Sequence, residues 1–185
     1  MTGADILRAL LTRNFNTVLD IGSGKGEHAA IMRNAGKIVT TVDAVAPADH
    51  HGDYLDVEFD RQFDAVWCSH VLEHQRNVGQ FLDKVFDDLK GDGWLAITVP
   101  PLKHDIVGGH LTLWNVGLLV YNLVMAGFDC SSAEIYRYGY DISVLVRKRR
   151  AMLPALVSGN GDIEALSDYF PKRVWQGFDG ERHLL

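Results

Sequence analysis

Short apolar runs alternate along the chain with longer segments in which apolar residues follow a helical period. Residues 17–21, 38–42 and 63–69 are three such runs, mostly apolar and rich in β-branched or aromatic residues. Runs of this length are typical of strands buried on both faces of a parallel sheet. We therefore expect three strands of such a sheet at these positions.

Helical patterns separate the apolar runs. In residues 78–89, apolar side chains recur at i, i+3, i+4, i+7, i+8 and i+11, which predicts an amphipathic helix. Gly91 and Gly93 are expected to end it, and the next strand, 94–99, is closed by Pro100-Pro101. The other predicted helices are 2–12, 27–35 with Gly36 as its stop, and an apolar helix that Thr112 or Asn115 caps and that runs to Ala126 before Gly127.

The order of these elements predicts the fold. The last two strands, 129–135 and 140–147, are joined by a link too short for a crossover helix, so one of them must be antiparallel. Alternating strands and helices predict an α/β, Rossmann-like, doubly wound sheet of seven strands, mostly parallel with one antiparallel strand and with helices on both faces. We expect one domain over 1–150. The tail, 151–185, is expected to pack on that domain or on the second subunit of a homodimer.

Composition and charge narrow the classes of protein. With 185 residues, 47% hydrophobic and 23% charged, the chain suits a single soluble domain. A net charge of -6 argues against nucleic-acid binding, and the basic run 147–150 is expected to be a solvated strand end or, alternatively, a contact for an anionic acceptor. Cys68 and Cys130 fit neither a disulfide framework nor a zinc site. No signal peptide or membrane span is expected, so we predict a cytoplasmic protein.

A glycine loop, 22–26, lies between the first strand and its helix. Glycines there permit a tight turn and a close approach of backbone N–H groups to a ligand. Dinucleotide oxidoreductases share this feature, but Glu27 stands where their third glycine would be and would face the pyrophosphate. Asp20, inside the strand, suits a cationic ligand. Asp43, at the end of the second strand, can accept ribose hydroxyls from either kind of cofactor.

Four segments resemble the motifs of class I S-adenosylmethionine-dependent methyltransferases, in particular their small-molecule branch. They stand in that family's order and are VLDIGSGKG (18–26), FDAVWCSHVLEH (63–74), LKGDGWLAITVP (89–100) and AGF (126–128). The resemblance covers about residues 15–147. It implies an enzyme that takes S-adenosylmethionine as cofactor, releases S-adenosylhomocysteine and methylates a small-molecule or glycan-like acceptor, on oxygen rather than nitrogen. A cofactor-binding domain without turnover and an NAD-dependent oxidoreductase are the alternatives.

The resemblance also implies roles for individual residues. The methionine end of the cofactor would be held by Asp20, Gly22, Ser23, Gly24 and Gly26, and the ribose by Asp43. Asp53 would bind the adenine amino group and Tyr54 would pack against its ring, while Ser69 and His70 would line the methyl-donor pocket. Since only ten residues separate Asp43 from Asp53, the second crossover helix is expected to be reduced to about one turn.

The histidines raise a separate question. His70-Val71-Leu72-Glu73-His74 also spells H-x-x-E-H, an inverted zinc-protease motif. That motif belongs inside a helix and needs a third ligand downstream, whereas here it begins at a strand end, so we predict no metal site. His110 lies in the loop 100–111, a candidate lid. We take His74 and His110 as candidate catalytic bases for a hydroxyl acceptor, the alternative for His110 being a helix-entry residue bonded to backbone.

Overall fold

The computed structural model describes residues 2–176, which form one seven-stranded sheet with helices on both faces. The strands are β1 (Thr17–Ile21), β2 (Ile38–Asp43), β3 (His50–His51), β4 (Phe63–Ser69), β5 (Leu89–Val99), β6 (Glu134–Tyr138) and β7 (Asp141–Arg147). The helices are α1 (Ala4–Leu11), α2 (Glu27–Asn34), α3 (Val78–Asp88), α4 (Val116–Met125) and α5 (Asp162–Ala165), with 3-10 turns at Tyr54–Asp56, Leu72–His74 and Ser167–Tyr169.

The strand order is β3-β2-β1-β4-β5-β7-β6. Every neighbouring pair is parallel except the two that involve β7, which is antiparallel to both β5 and β6. The β6–β7 hairpin therefore supplies the one reversed strand that the short link predicts. The predicted fold class is confirmed.

The sheet separates two apolar cores because side chains alternate across each strand. Val18 and Trp67 pack with α1 and α2 on one face, while Leu19 and Ile21 pack with α3 and α4 on the other. Asn115 caps α4, accepting a hydrogen bond from the Leu118 N–H at 2.8 Å. No helix among residues 2–176 is long and apolar enough to cross a membrane.

The part of the tail that the structure describes packs against the α3–α4 face. Leu166, Phe170 and Val174 are buried within that core. The Tyr169 hydroxyl donates to the Met152 carbonyl at 2.7 Å, which ties the tail to its own beginning. Phe178, an aromatic residue of the tail, lies outside the described residues. A domain boundary at 150 and a contact with a partner subunit stay predictions.

The junction between α3 and β5 differs from the prediction. The helix ends at Asp88 and β5 begins at Leu89, so Gly91 and Gly93 lie in the strand rather than ending the helix. Leu89 pairs with Phe63, and the register shifts before the regular ladder begins. A β-carbon on Gly93 would lie 2.8 Å from the Asp64 carbonyl oxygen. The glycine thus permits the close strand approach that an irregular ladder requires.

The connection after β2 also differs. Residues 44–49 contain no helical turn, and the chain returns at once to the sheet as β3, parallel to β2. Asp49 fixes this short path because one of its carboxylate oxygens accepts hydrogen bonds from the Thr41 N–H and hydroxyl, each at 2.9 Å. The prediction of about one helical turn between Asp43 and Asp53 is therefore wrong. The turn comes after β3, at Tyr54–Asp56.

The basic run 147–150 lies away from the carboxyl ends of the parallel strands, since Arg147 pairs with Trp94 near the beginning of the regular β5 ladder. The Lys148 ammonium donates to the carbonyls of Phe86 and Leu89, the latter at 2.6 Å, at the C-terminal end of α3. Arg147 contacts Asp92. These contacts favour a packing role for the run over binding of an anionic acceptor.

Candidate active site

A cavity of about 570 Å³ opens at the carboxyl ends of β1, β2 and β4. Its volume lies within the roughly 300–1,000 Å³ typical of small-molecule sites, and its position is where open α/β sheets bind ligands. Six of the predicted site residues line it, namely Gly22, Asp43, Asp53, Tyr54, His70 and His74. The other six, Asp20, Ser23, Gly24, Gly26, Ser69 and His110, do not form part of its lining.

The glycine loop has the close packing that requires glycine at its first position. Gly22 has φ +69°, and a β-carbon there would lie 2.2 Å from a Val71 methyl group. Gly24 also has a positive φ, but open space surrounds the position of its missing β-carbon. The loop folds back onto β2 through a hydrogen bond from the Gly22 N–H to the Val42 carbonyl at 2.8 Å.

The Asp43 carboxylate joins the glycine loop to the loop that follows β2. One oxygen accepts from the Gly24 N–H at 2.7 Å, and the other accepts from the N–H groups of Val45 and Ala46 at 2.8 and 2.7 Å. Partial burial alone would raise the pKa of Asp43, but these three backbone donors outweigh it and hold the pKa below its usual range. Asp43 is therefore a fixed carboxylate at the cavity wall, with acceptor capacity remaining.

Asp20 is a buried acid behind the glycine loop. Its side chain is only 1% exposed, and its Oδ2 has no hydrogen-bond partner among the residues described. Burial raises its pKa to about 7, with Arg33 opposing the rise and Asp43 adding to it. A buried polar atom without a partner is unfavourable, so Asp20 is suited to a cationic or hydrogen-bonding group that would satisfy it.

Asp53 and Tyr54 form the opposite wall. Asp53 caps the 3-10 turn by accepting from the Leu55 N–H at 3.0 Å. Tyr54 is buried, and its hydroxyl donates to the Asp88 carboxylate at 2.7 Å, so that burial and the neighbouring Asp88 charge raise the pKa of this phenol. Its ring meets Phe81 edge-on, with centroids 5.1 Å apart. Tyr54 is thus a rigid wall held by α3, with Leu55 beside it in the lining.

His70 connects three elements at the end of β4. One ring nitrogen lies 2.8 Å from Asp141 Oδ1 and the other lies 3.2 Å from Glu73 Oε1. The second oxygen of Asp141 accepts from the Gly3 N–H at 2.7 Å, just before α1. Burial would lower the pKa of His70, but the hydrogen bonds and charges of Glu73 and Asp141 raise it. His70 therefore has a positioning role as well as lining the cavity.

Ser69 does not reach the cavity. Its Oγ is buried without a hydrogen-bond partner, and a β-carbon on Gly3 would lie 3.2 Å from it. The start of α1 therefore covers this side chain, as well as the ring of Trp67. A place for Ser69 in the lining of the methyl-donor pocket is not supported by this geometry.

Glu73, His74 and His110 come together beside the cavity, whose lining includes His74. Glu73 is fully buried, His74 Nε2 lies 3.9 Å from Glu73 Oε1, and the two imidazole centroids are 5.2 Å apart. One potential ligand atom from each of the three residues lies within 4.8 Å of the others. The arrangement is not the helical one of H-x-x-E-H, because His70 turns to Asp141 and His110 comes from a different loop.

The end of the loop 100–111 is fastened to the turn that carries Glu73. The Leu111 and Thr112 N–H groups both donate to the Glu73 carbonyl, at 2.7 and 3.1 Å, and His74 Nδ1 lies 2.7 Å from the Gly109 carbonyl oxygen. Ile106, at the outer part of the loop, is fully exposed. The loop is therefore anchored where it meets the cavity, and a lid movement would involve its outer part.

Several residues that line the cavity lie outside the motifs. Four of them follow the fourth-strand motif along the chain, namely Gln75, Arg76, Asn77 and Leu111. Gln75–Asn77 follow directly on the fourth-strand motif, so proximity in sequence was the available signal. Leu111 carries no such signal, since only the folding of the loop brings it there.

Comparisons of the sequence with known proteins give a family match and one curated relative. The family model described as "Methyltransferase domain" matches residues 3–126. A ubiquinone biosynthesis O-methyltransferase of Rickettsia typhi is 31% identical over 97 residues, which is 44% of this chain and 39% of that relative. The chain thus aligns with well under half of the length of this relative.

Solved structures share the fold at low identity. The structure of the Burkholderia thailandensis 1,6-didemethyltoxoflavin-N1-methyltransferase, with bound 1,6-didemethyltoxoflavin and S-adenosylhomocysteine, is similar with a TM-score of 0.64 at 23% identity. That match covers 79% of this chain and 76% of the other. A SAM-dependent methyltransferase from Archaeoglobus fulgidus is similar with a TM-score of 0.63 at 18% identity, covering 78% and 92%.

Proposed function

The chain belongs to the methyltransferase domain family, and from this membership we propose that it is an active S-adenosylmethionine-dependent methyltransferase of small molecules. The family match covers more than half of the chain, so the predicted family is confirmed, and the enzyme class and the methyl donor are part of the proposal. The observation that carries the proposal is the pair of acids at one glycine loop, Asp20 buried without a partner and Asp43 fixed as a carboxylate.

The residues present fit the cofactor. The unpartnered, buried Asp20 Oδ2 suits the cationic aminoacyl end, directly or through a water molecule. Gly22 keeps the loop close to Val71, and the open space above Gly24 admits a ligand against the backbone. Asp43 retains acceptor capacity for ribose hydroxyls. Eleven of the twelve predicted site residues keep their roles as part of this proposal, and Ser69, which does not line the cavity, is left out of it.

When bound, the cofactor supplies a methyl group that an acceptor lone pair attacks in line, while the carbon–sulfur bond breaks and its electrons stay on sulfur. The protein's contribution is orientation and exclusion of water. Tyr54 and Leu55 form an apolar wall at the cofactor side of the cavity. His74 and His110 lie at the acceptor side, where an imidazole can take the proton that a hydroxyl acceptor loses.

We propose a hydroxyl acceptor in preference to an amine. The relative that is 31% identical is named as an O-methyltransferase, and the acceptor side of the cavity is polar, with Gln75, Arg76 and Asn77 in its lining. A polar, partly aromatic or sugar-like alcohol would match this lining. A glycan-like acceptor, a homodimer and a cytoplasmic location stay predictions.

Two alternative functions differ from the proposed one in the ligand that binds or in turnover. An NAD-dependent oxidoreductase is disfavoured because Glu27 is exposed as the first residue of α2, where a pyrophosphate would bind. A cofactor-binding domain without turnover would bind S-adenosylhomocysteine but release none from the donor.

The experiment follows S-adenosylhomocysteine release from S-adenosylmethionine with a panel of phenols, sugar alcohols and matched amines. We expect release above background with hydroxyl acceptors and at least tenfold less with the amines. Asp43→Asn is the matched control, since it removes the charge and keeps the shape. Binding of S-adenosylmethionine without release of S-adenosylhomocysteine in the presence of any acceptor would favour the domain without turnover. Faster turnover with amines than with hydroxyl acceptors would contradict the proposed preference for O-methylation.

A further inference from the structure

A group of three side chains at the acceptor side of the cavity has the composition of a metal site. Glu73 and His74 come from the 3-10 turn after β4, and His110 comes from the loop that precedes α4. Two imidazoles and one carboxylate leave coordination positions open, as catalytic metal sites do. The sequence motif alone predicts no metal here, because it lacks the downstream ligand that the loop supplies.

Glu73 is the first independent observation. Its side chain is 1% exposed, and one carboxylate oxygen, Oε1, lies 3.2 Å from His70 Nδ1. His70 is shared, because its other nitrogen lies 2.8 Å from Asp141, and Oε2 of Glu73 has no hydrogen-bond partner among the described residues. A buried carboxylate oxygen without a partner is unfavourable unless a cation or a donor satisfies it.

The orientation of the His74 ring is the second independent observation. Its Nδ1 lies 2.7 Å from the Gly109 carbonyl oxygen, so Nδ1 is the donor, and in the neutral ring that an ion would bind Nε2 has the free lone pair. Nε2 is the nitrogen directed toward Glu73 Oε1, at 3.9 Å. Histidines that bind metals are commonly held in this way, with the second ring nitrogen donating to a backbone carbonyl.

The spacing is compatible with one small ion. The three ligand atoms lie within 4.8 Å of one another, whereas ligands about 2.1 Å from a tetrahedral ion are about 3.4 Å apart. Side-chain rotations that move the ligand atoms by about an ångström would bring them to this spacing. His74 is 45% exposed at its side chain, so that an ion can enter from the cavity.

We propose that Glu73, His74 and His110 bind a divalent first-row transition ion, such as Zn²⁺, that positions and activates the hydroxyl of the acceptor. Two nitrogen ligands favour such an ion over Ca²⁺ or Mg²⁺, which prefer oxygen. With the ion bound, His74 and His110 act as its ligands and no longer as bases. The hydroxyl loses its proton to water beside the ion, and its oxygen lone pair then forms the bond to the methyl carbon as the carbon–sulfur pair returns to sulfur. The activating role rests on the proposed function; the binding site does not.

The test is a Zn²⁺ titration of the metal-free full chain, followed by calorimetry, with Co²⁺ absorbance as a second readout. We expect one equivalent to bind the native chain, and His74→Ala and His110→Ala each to weaken binding at least tenfold. His104→Ala is the matched control, because His104 is an exposed histidine of the same loop outside the cluster; it should bind Zn²⁺ as the native chain does. A native far-ultraviolet circular dichroism spectrum and cooperative urea unfolding show that each variant is folded.

Equal Zn²⁺ affinity in the native chain and in the His74→Ala, His110→Ala double variant would overturn the site. Methyl transfer by a chain that binds no metal would also overturn it while leaving the proposed function standing. Zn²⁺ binding at the cluster without methyl transfer to any acceptor would support the site and contradict the proposed function. The two proposals therefore fail by different results.

Discussion

Replacing Asp20 with asparagine should stabilise the ligand-free protein while weakening its affinity for the cofactor. Asp20 is 1% exposed, and burial raises its pKa from 3.8 to about 7. The folded chain therefore binds this proton more tightly than the unfolded chain, and it loses stability as the pH rises from about 4 to about 7. At about 1.4 kcal/mol per pKa unit, the ionised side chain costs about 4 kcal/mol above pH 7.

The assay is urea unfolding of the native chain and Asp20→Asn at pH 5 and pH 8, without ligand. The variant should be more stable at pH 8 by up to about 4 kcal/mol, and its advantage should shrink at pH 5, where the native carboxyl holds its proton when folded. Loss of the carboxylate should weaken S-adenosylhomocysteine binding by about 10- to 100-fold, the range of a charged hydrogen bond.

The matched control is Asp43→Asn, which should change the free energy of unfolding in the opposite direction. Backbone donors hold the pKa of Asp43 below its usual range, so its stabilisation is present above the unfolded pKa and is lost as the pH falls. Asp43→Asn should therefore lower stability at neutral pH. An Asp20→Asn variant no more stable than the native chain at pH 8, or with the same gain at both pH values, would refute this reasoning.

Four further substitutions test the packing of the fold. Gly22→Ala should lower the free energy of unfolding in urea by about 3 kcal/mol, because the new β-carbon would meet Val71 and φ is positive there. Gly24 also has a positive φ but open space around it, so Gly24→Ala should lower the free energy of unfolding by only about 1 kcal/mol. Phe170→Ala should lower the free energy of unfolding by about 3–5 kcal/mol, since Phe170 is buried in the α3–α4 core. A loss of less than about 1 kcal/mol would mean that the tail does not pack there. Lys148→Met should lower stability by about 1 kcal/mol with S-adenosylhomocysteine affinity unchanged; weaker binding would contradict a packing role.

The elements that the sequence predicts well are those whose signal is local. The apolar stripe of α3, the glycine stop after α4 and the short link between β6 and β7 each determine an element from neighbouring residues. The glycine loop and Asp43 are of the same kind, because a strand end and the next turn position them together.

The errors have non-local causes. Gly91 and Gly93 resemble helix stops, but the pairing of Leu89 with Phe63 draws that segment into the sheet. The path after β2 depends on Asp49 bonding back to Thr41 across eight residues. At the site, the contacts of Asp141 with His70 and of His110 with His74 join residues from distant parts of the chain. Spacing along the sequence cannot reveal such pairs.

The central claim is that the acids at the glycine loop bind the methyl donor and its product. The most direct measurement is a calorimetric titration of the native chain and of Asp43→Ala with S-adenosylhomocysteine, with NAD as the competing ligand. The account predicts one-to-one binding of S-adenosylhomocysteine at about micromolar Kd, at least tenfold weaker in Asp43→Ala, and no binding of NAD. Binding of NAD alone, or S-adenosylhomocysteine affinity that the substitution leaves unchanged, would contradict it.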